Sequence, residues 1–271
     1  MYKPFKYALL STGFAILSGL ASLPAQAHNT WLLPSSTVLS SPQFVTFDAA
    51  VSEDFFYFTH RPLAIDTLII TAPDGSNLVS ANVVKGELRT TFDVKLEKNG
   101  TYTLDIPRSG LRASWKVDGK PKRFMGSAEA FAKEVPVAAQ DLEIGESVTH
   151  VVTFVTVGAP TAIKPTNHGL ELVPVTHPND LIVGEPAEFQ FMVDGKPASD
   201  VKVEVMSGQS RYRNALGETR YTSDKQGKVK ITWSQPGMYF LNAVLKDNKV
   251  SAKQAKERSL SYGVTLEVQA Q

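Results

Sequence analysis

The chain has 271 residues, with 28 basic against 27 acidic side chains and no cysteine. A near-neutral charge offers no field for nucleic acid or an anionic membrane surface, which argues against both partners. Without cysteine there is no disulfide framework and no thiolate ligand. The fold must rest on its own cores, and a metal could be held only by histidine, carboxylate, amine or thioether.

At the N-terminus, Lys3 and Lys6 precede an apolar run from about Ala8 to Leu23, then Pro24 and Ala25-Gln-Ala27. A basic start, an apolar stretch and an Ala-x-Ala site are the three parts of a secretory signal. Residues 1–27 are therefore expected to be removed, and the mature protein is expected in the periplasm. No later apolar run reaches the ~18–20 residues of a membrane span, so none is expected in the mature chain. Cleavage after Ala27 makes His28 the first residue. Its α-amine titrates near pH ~8 and its imidazole near ~6.5, so one residue supplies two nitrogens to a metal.

Beyond residue 28 the pattern is mostly period two, broken by turn signals. Strands are expected at 44–51 and at 66–72, the second closed by Pro73-Asp74-Gly75. Further strands at 91–97 and 101–106 flank Asn99-Gly100, which reads as a two-residue hairpin. Another strand, 111–117, ends at Asp118-Gly119. One short helix is predicted from Ser127, its N-cap, to Lys133, with Pro136 as a stop. Strand character returns at 147–157. The stretch 158–167 has two prolines and no periodicity, and reads as a linker. After it, strands are expected at 170–175, 187–193, 200–206, 228–233, 238–245 and 260–268.

This is an all-β chain of two immunoglobulin-like or transthyretin-like β-sandwich domains in tandem, with one short helix in the first. Residues 28–160 make the N-terminal domain and 168–271 the C-terminal one. Val-Asp-Gly-Lys-Pro occurs at 117–121 and again at 193–197. The flanks do not match, so a turn used twice explains it better than a duplication. The arginine- and tyrosine-rich segment 211–221 reads as a solvated hairpin.

The five histidines are His28, His60, His150, His168 and His177. No spacing among them matches a local metal motif, so a site would be assembled from distant segments. His150 sits within a strand and reads as structural. His60 lies where a strand gives way to a loop before Pro62. The amine and ring of His28 with one more imidazole suit Cu(II) or Ni(II). No nucleophile motif such as Gly-x-Ser-x-Gly is present, and an enzyme is not expected.

His28-Asn-Thr-Trp-Leu-Leu-Pro34 resembles the opening of bacterial domain-of-unknown-function family 4198. The likeness continues in Phe56-Tyr-Phe-Thr-His-Arg-Pro-Leu63, Thr153–Gly158, Gly169–Pro178, Asp194–Pro197 and Gly237–Leu241, and so covers both halves. Members are exported β-rich proteins often labelled as periplasmic components of nickel or cobalt uptake. The resemblance implies a transition-metal-binding protein serving uptake or delivery of nickel, cobalt, copper or iron. A divalent ion (Cu, Ni or Co) would be the cofactor, and a membrane or outer-membrane metal transporter the partner. The expected ligands are His28, His60 and His177, with His168 as the alternative to His177. The competing expectation is a metal-free periplasmic sandwich module that binds a protein or carbohydrate.

Overall fold

The computed structural model describes residues 29–209 and 217–271. The expected signal, its cleavage site and His28 lie outside the described residues, as does the 210–216 part of the arginine- and tyrosine-rich segment.

Strands β1 (Asn29–Pro34), β2 (Val38–Leu39), β3 (Gln43–Ser52) and β4 (Arg61–Pro62) come first. They are followed by β5 (Ile69–Thr71), β6 (Asn77–Leu78), β7 (Ala81–Lys85), β8 (Arg89–Leu96) and β9 (Gly100–Asp105). A long hairpin of β10 (Arg108–Val117) and β11 (Lys120–Gly126) precedes helix α1 (Ala128–Glu134) and strand β12 (Gln140–Val157). After the irregular segment 158–169 come β13 (Leu170–Pro174), β14 (Pro186–Val193), β15 (Lys196–Pro197) and β16 (Lys202–Ser207). The chain closes with β17 (Thr219–Thr222), β18 (Lys228–Thr232), β19 (Gly237–Asp247) and β20 (Glu257–Val268). The expected helix is present, and the Ser127 hydroxyl caps it by accepting the Ala130 amide at 3.2 Å. Among the described residues no helix is long and apolar enough to cross a membrane.

The strands form three sheets in a sandwich-like arrangement. The first runs β1-β3-β8-β7, with β4 on β3. The second, central sheet runs β17-β16-β19-β20-β12-β9-β5-β6 and carries the β10–β11 hairpin and β2 on β12. The third runs β13-β14-β15, with β18 on β14.

The central sheet draws strands from both halves of the sequence, through the parallel pairing of β12 with β20. Alternation along β12 then does two jobs. Val151, Val155 and Val157 enter the core beneath the first sheet, with Phe47, Phe92 and Leu104. Val148, Val152 and Phe154 enter the opposite core, beneath the third sheet, with Phe189, Phe191 and Leu241. The two halves therefore have separate cores but not separate sheets. The expected boundary at 158–168 lies between these cores in sequence, while β12 lines both.

The Asn99-Gly100 expectation is corrected. β8 pairs with β3 and β7 in the first sheet, whereas β9 pairs with β12 and β5 in the central one. The turn passes the chain between layers instead of closing a ladder. Tyr102 holds that corner, its hydroxyl accepting the Lys98 amide at 2.7 Å and donating to the Lys98 carbonyl at 2.9 Å. The second half repeats the device, with Tyr239 donating to the Gln235 carbonyl at 2.9 Å. In each case a glycine stands two residues earlier, Gly100 at φ +124° and Gly237 at φ +126°, where a side chain would be strained. Such corners stitch sheet to sheet in immunoglobulin-like sandwiches. The repeated Val-Asp-Gly-Lys-Pro is a turn used twice. Asp118-Gly119 and Asp194-Gly195 both have positive φ at the two central positions, as type I′ requires.

Candidate functional site

β1 runs antiparallel to β3 with Asn29 opposite Ser52 and Thr30 opposite Val51. On the other edge of β3, Arg61 lies opposite Val51 and Pro62 opposite Ala50. The first described residue and the segment that carries His60 thus flank the same end of β3. Two strand spacings separate them, about 10 Å. His60 is exposed at this end.

The floor beneath is aromatic and draws on both halves. Trp31 is fully buried and its indole N–H donates to the Ser52 hydroxyl at 2.8 Å, which in turn donates to the Asp54 carbonyl at 2.5 Å. The Asn29 side-chain amide donates to the Glu53 carbonyl at 3.1 Å and ties the strand end to the following turn. Phe56 meets Trp31 edge-on at 5.5 Å, and Phe58 lies tilted against it at 5.4 Å. The Arg89 guanidinium sits 4.2 Å from the centre of the Phe58 ring. Phe55 stacks at 4.4 Å on Phe240 of β19, and Met206 of β16 closes the cluster.

One residue of this cluster is strained. Phe56 has φ +66°, a left-handed conformation that costs a bulky side chain of order 1–3 kcal/mol. The surrounding packing holds it there. A β-carbon on Gly208 would lie 2.5 Å from Cδ2 of Phe56, so the ring presses on bare backbone from the C-terminal half.

His177 is placed elsewhere. Its Nε2 lies 3.0 Å from the Thr101 hydroxyl, and its Nδ1 accepts the Asn179 amide at 3.2 Å. With Nδ1 accepting, the ring is neutral and its proton sits on Nε2. Burial holds its pKa below the usual imidazole value, opposed by the Thr161 backbone and Asp180. Thr101 further bonds Thr156, and Thr156 donates to Asn179, which completes a satisfied network between β9, β12 and the loop after β13. The Thr156 amide reaches the Thr37 carbonyl at 2.8 Å, beyond the far end of β1. The length of β1 alone, about 17 Å, separates this network from the His60 end, so His177 cannot share a metal with His60 across two ~2 Å bonds. His177 is corrected from ligand to interface residue. His168 is exposed, and its ring centre lies 6.3 Å from that of His150. Among the described residues, no group of three or more histidine, aspartate or glutamate side chains is placed to hold a metal.

Three of the stretches that resemble a family in sequence, 28–34, 56–63 and 237–241, contribute residues to this end of the molecule. The model for Domain of unknown function (DUF4198) matches residues 25–247. The chain belongs to the DUF4198 family. No curated protein matches it. Among solved structures, the D0-D1 domain of intimin is 14% identical, with 87% of this chain and 96% of that chain covered, at a TM-score of 0.22. Trypsin-activated α2-macroglobulin from Escherichia coli is 13% identical over 89% of this chain and 16% of its own, at 0.23. A DUF4785 family protein from Legionella pneumophila is 8% identical over 78% and 50%, at 0.24. At such scores the likeness assigns neither ligand nor activity.

In this DUF4198 chain Trp31 and residues 56–63 lie in stretches marked by the family resemblance, whereas their partners Met206 and Gly208 lie outside every such stretch. The Gly237–Leu241 stretch carries Phe240 and was the one signal that the C-terminal half contributes.

Proposed function

We propose that this protein is a periplasmic transition-metal-binding protein that serves uptake or delivery, with His28 as the mature N-terminus and His60 as its partner. The observation that carries the reading is the register: Asn29 and Arg61 flank one end of β3, next in sequence to His28 and His60. The amine and ring of His28 with the His60 imidazole give three nitrogens, a set that favours Cu(II) over Ni(II) or Co(II). His177 has no part in it. The aromatic floor excludes water from one side, while the exposed side leaves room for transfer to a membrane or outer-membrane metal transporter. The role is binding, with no catalytic step.

The test is calorimetry of Cu(II) and Ni(II) binding to the processed protein, to His60→Ala and to a protein with one extra N-terminal residue. Stoichiometric binding lost in both altered proteins supports the site. Absence of stoichiometric binding in the correctly processed protein overturns it and favours the metal-free module that binds a protein or carbohydrate.

A further inference from the structure

The segment that crosses between the halves has no regular secondary structure, yet it is fastened along its length. Thr161 and Thr101 exchange two bonds, each backbone amide donating to the other's hydroxyl at 3.1 and 2.9 Å. The buried Glu171 carboxylate accepts the Thr166 and Asn167 amides, both at 2.7 Å, and the Thr166 hydroxyl at 2.8 Å. Beneath residues 162–166 lies a cavity of about 120 Å³ that reaches Asp105, His150, Glu171 and Tyr262.

His150, on β12, is 3% exposed, and its Nδ1 lies 2.8 Å from Asp105 Oδ2 on β9. Its other nitrogen, Nε2, is buried with no hydrogen-bond partner, as is Asp105 Oδ1. Nε2 faces the end of the crossing segment. A β-carbon on Gly169 would sit 3.4 Å from it, and φ +68° at Gly169 lets bare backbone come this close. A neutral ring has one proton, which the Asp105 carboxylate takes at Nδ1, so Nε2 then offers only a lone pair to the backbone beside it. A protonated ring gains an Nε2–H that can donate to that backbone.

We propose that the Asp105–His150 pair is a proton-operated clasp that tightens the 166–169 turn onto β12 when the ring is charged and slackens it when the ring is neutral. Every packed element presents one titratable group to the ring: Asp105 from β9, Glu171 from β13, Tyr262 from β20 and His168 from the segment itself. Burial would lower the His150 pKa. The Asp105 hydrogen bond and charge, the Glu171 charge and the His168 backbone outweigh it, so the ring titrates above its usual value. The sign follows from that direction. A raised folded-state pKa gives stabilisation fully present below about pH 6.5 and lost as pH rises through the folded value. The clasp therefore holds in mild acid and releases in mild base. It is independent of the metal reading.

The experiment is an NMR titration of the five histidines from pH ~5 to ~9, with hydrogen exchange of the 166–169 amides corrected for intrinsic rates. In the wild type, protection of these amides should fall about tenfold, one net hydrogen bond, as His150 titrates above pH ~6.5. Asp105→Asn keeps an acceptor for Nδ1–H but removes the charge. It should move the His150 titration and the loss of protection together to lower pH. Protection that stays constant through the His150 titration overturns the proposal, as does a loss that remains at the wild-type pH in Asp105→Asn. Should that variant fail to fold, the wild-type titration alone decides.

Discussion

The ring of Phe56 and the α-carbon of Gly208 touch so closely that a single methyl group placed on the glycine would fall 2.5 Å from Cδ2. Phe56 belongs to the N-terminal half and Gly208 follows β16, so this contact measures how tightly the two halves are docked beneath the His60 end.

Gly208→Ala should therefore destabilise the protein by about 1–3 kcal/mol through overpacking. Urea unfolding checks it. Phe56→Ala should remove most of that cost, since the clashing ring is then gone and only the Met238 carbonyl, 3.1 Å from the added carbon, still crowds it. Additive costs in the double variant would show that the contact is not the cause.

Tyr102→Phe should cost about 1–2 kcal/mol, because the Lys98 amide and carbonyl both lose their partner. Tyr239→Phe removes one bond and should cost about half as much. Equal midpoints for wild type and Tyr102→Phe in denaturant would mean that the corner contributes nothing.

His177→Gln separates the two histidine roles assigned above. The copper binding proposed above should be unaffected, because both His177 nitrogens face Thr101 and Asn179. Burial holds the folded-state pKa of this ring below ~6.5. Its stabilisation is thus present above that pH and lost as pH falls through the folded value, the reverse of His150. Glutamine does not titrate, so thermal melts should show a shallower decline below pH ~6.5. A loss of copper binding in this variant would contradict the placement.

Arg258 is nearly buried and joins Asp247 and Asp194, each at 2.7 Å. The Arg258 hydrogen bond holds Asp247 below the usual carboxylate range against partial burial. At Asp194 burial pulls upward, but the Arg258 bond and the Gly169 amide win and the pKa is again lowered. Lowered carboxylates stabilise above pH ~3.9, an effect lost as pH falls through the folded values. Arg258→Met should cost about 2 kcal/mol at neutral pH and progressively less as pH falls below ~3.9. A cost that does not shrink in acid would rule out the ion pairs as its source.

Strand positions were legible in the sequence because alternating burial leaves a period of two, as in β8 and β14. Sheet membership was not. The strands around Asn99-Gly100 alternate equally well whether they pair with each other or part into two layers. β7 was missed because all five of its residues are exposed, which leaves no alternation to read. The buried run at the end of β12 hid its role, since a strand covered on both faces has no polar side. At the site, Trp31, Phe56 and Phe58 lie inside two stretches that resemble the family, but nothing in the sequence shows that they pack together. Gly208 lies in neither, and one glycine among turn residues carries no mark of the ring that presses on it. The misplacement of His177 has a similar origin. Its sequence neighbours show a turn, but not that Thr101, 76 residues earlier, waits opposite the ring.

Because β12 belongs to both cores, neither half is a module that can be expressed, swapped or shuffled by itself. A chain ended at residue 160 would leave Val148, Val152 and Phe154 facing water and would strip β20 from the edge of β12. An apolar stripe beside an open strand edge is a template for self-association. Such a fragment should aggregate. The intact protein should unfold in one transition despite its two cores, because the strand that completes one core cannot leave it without dismantling the other.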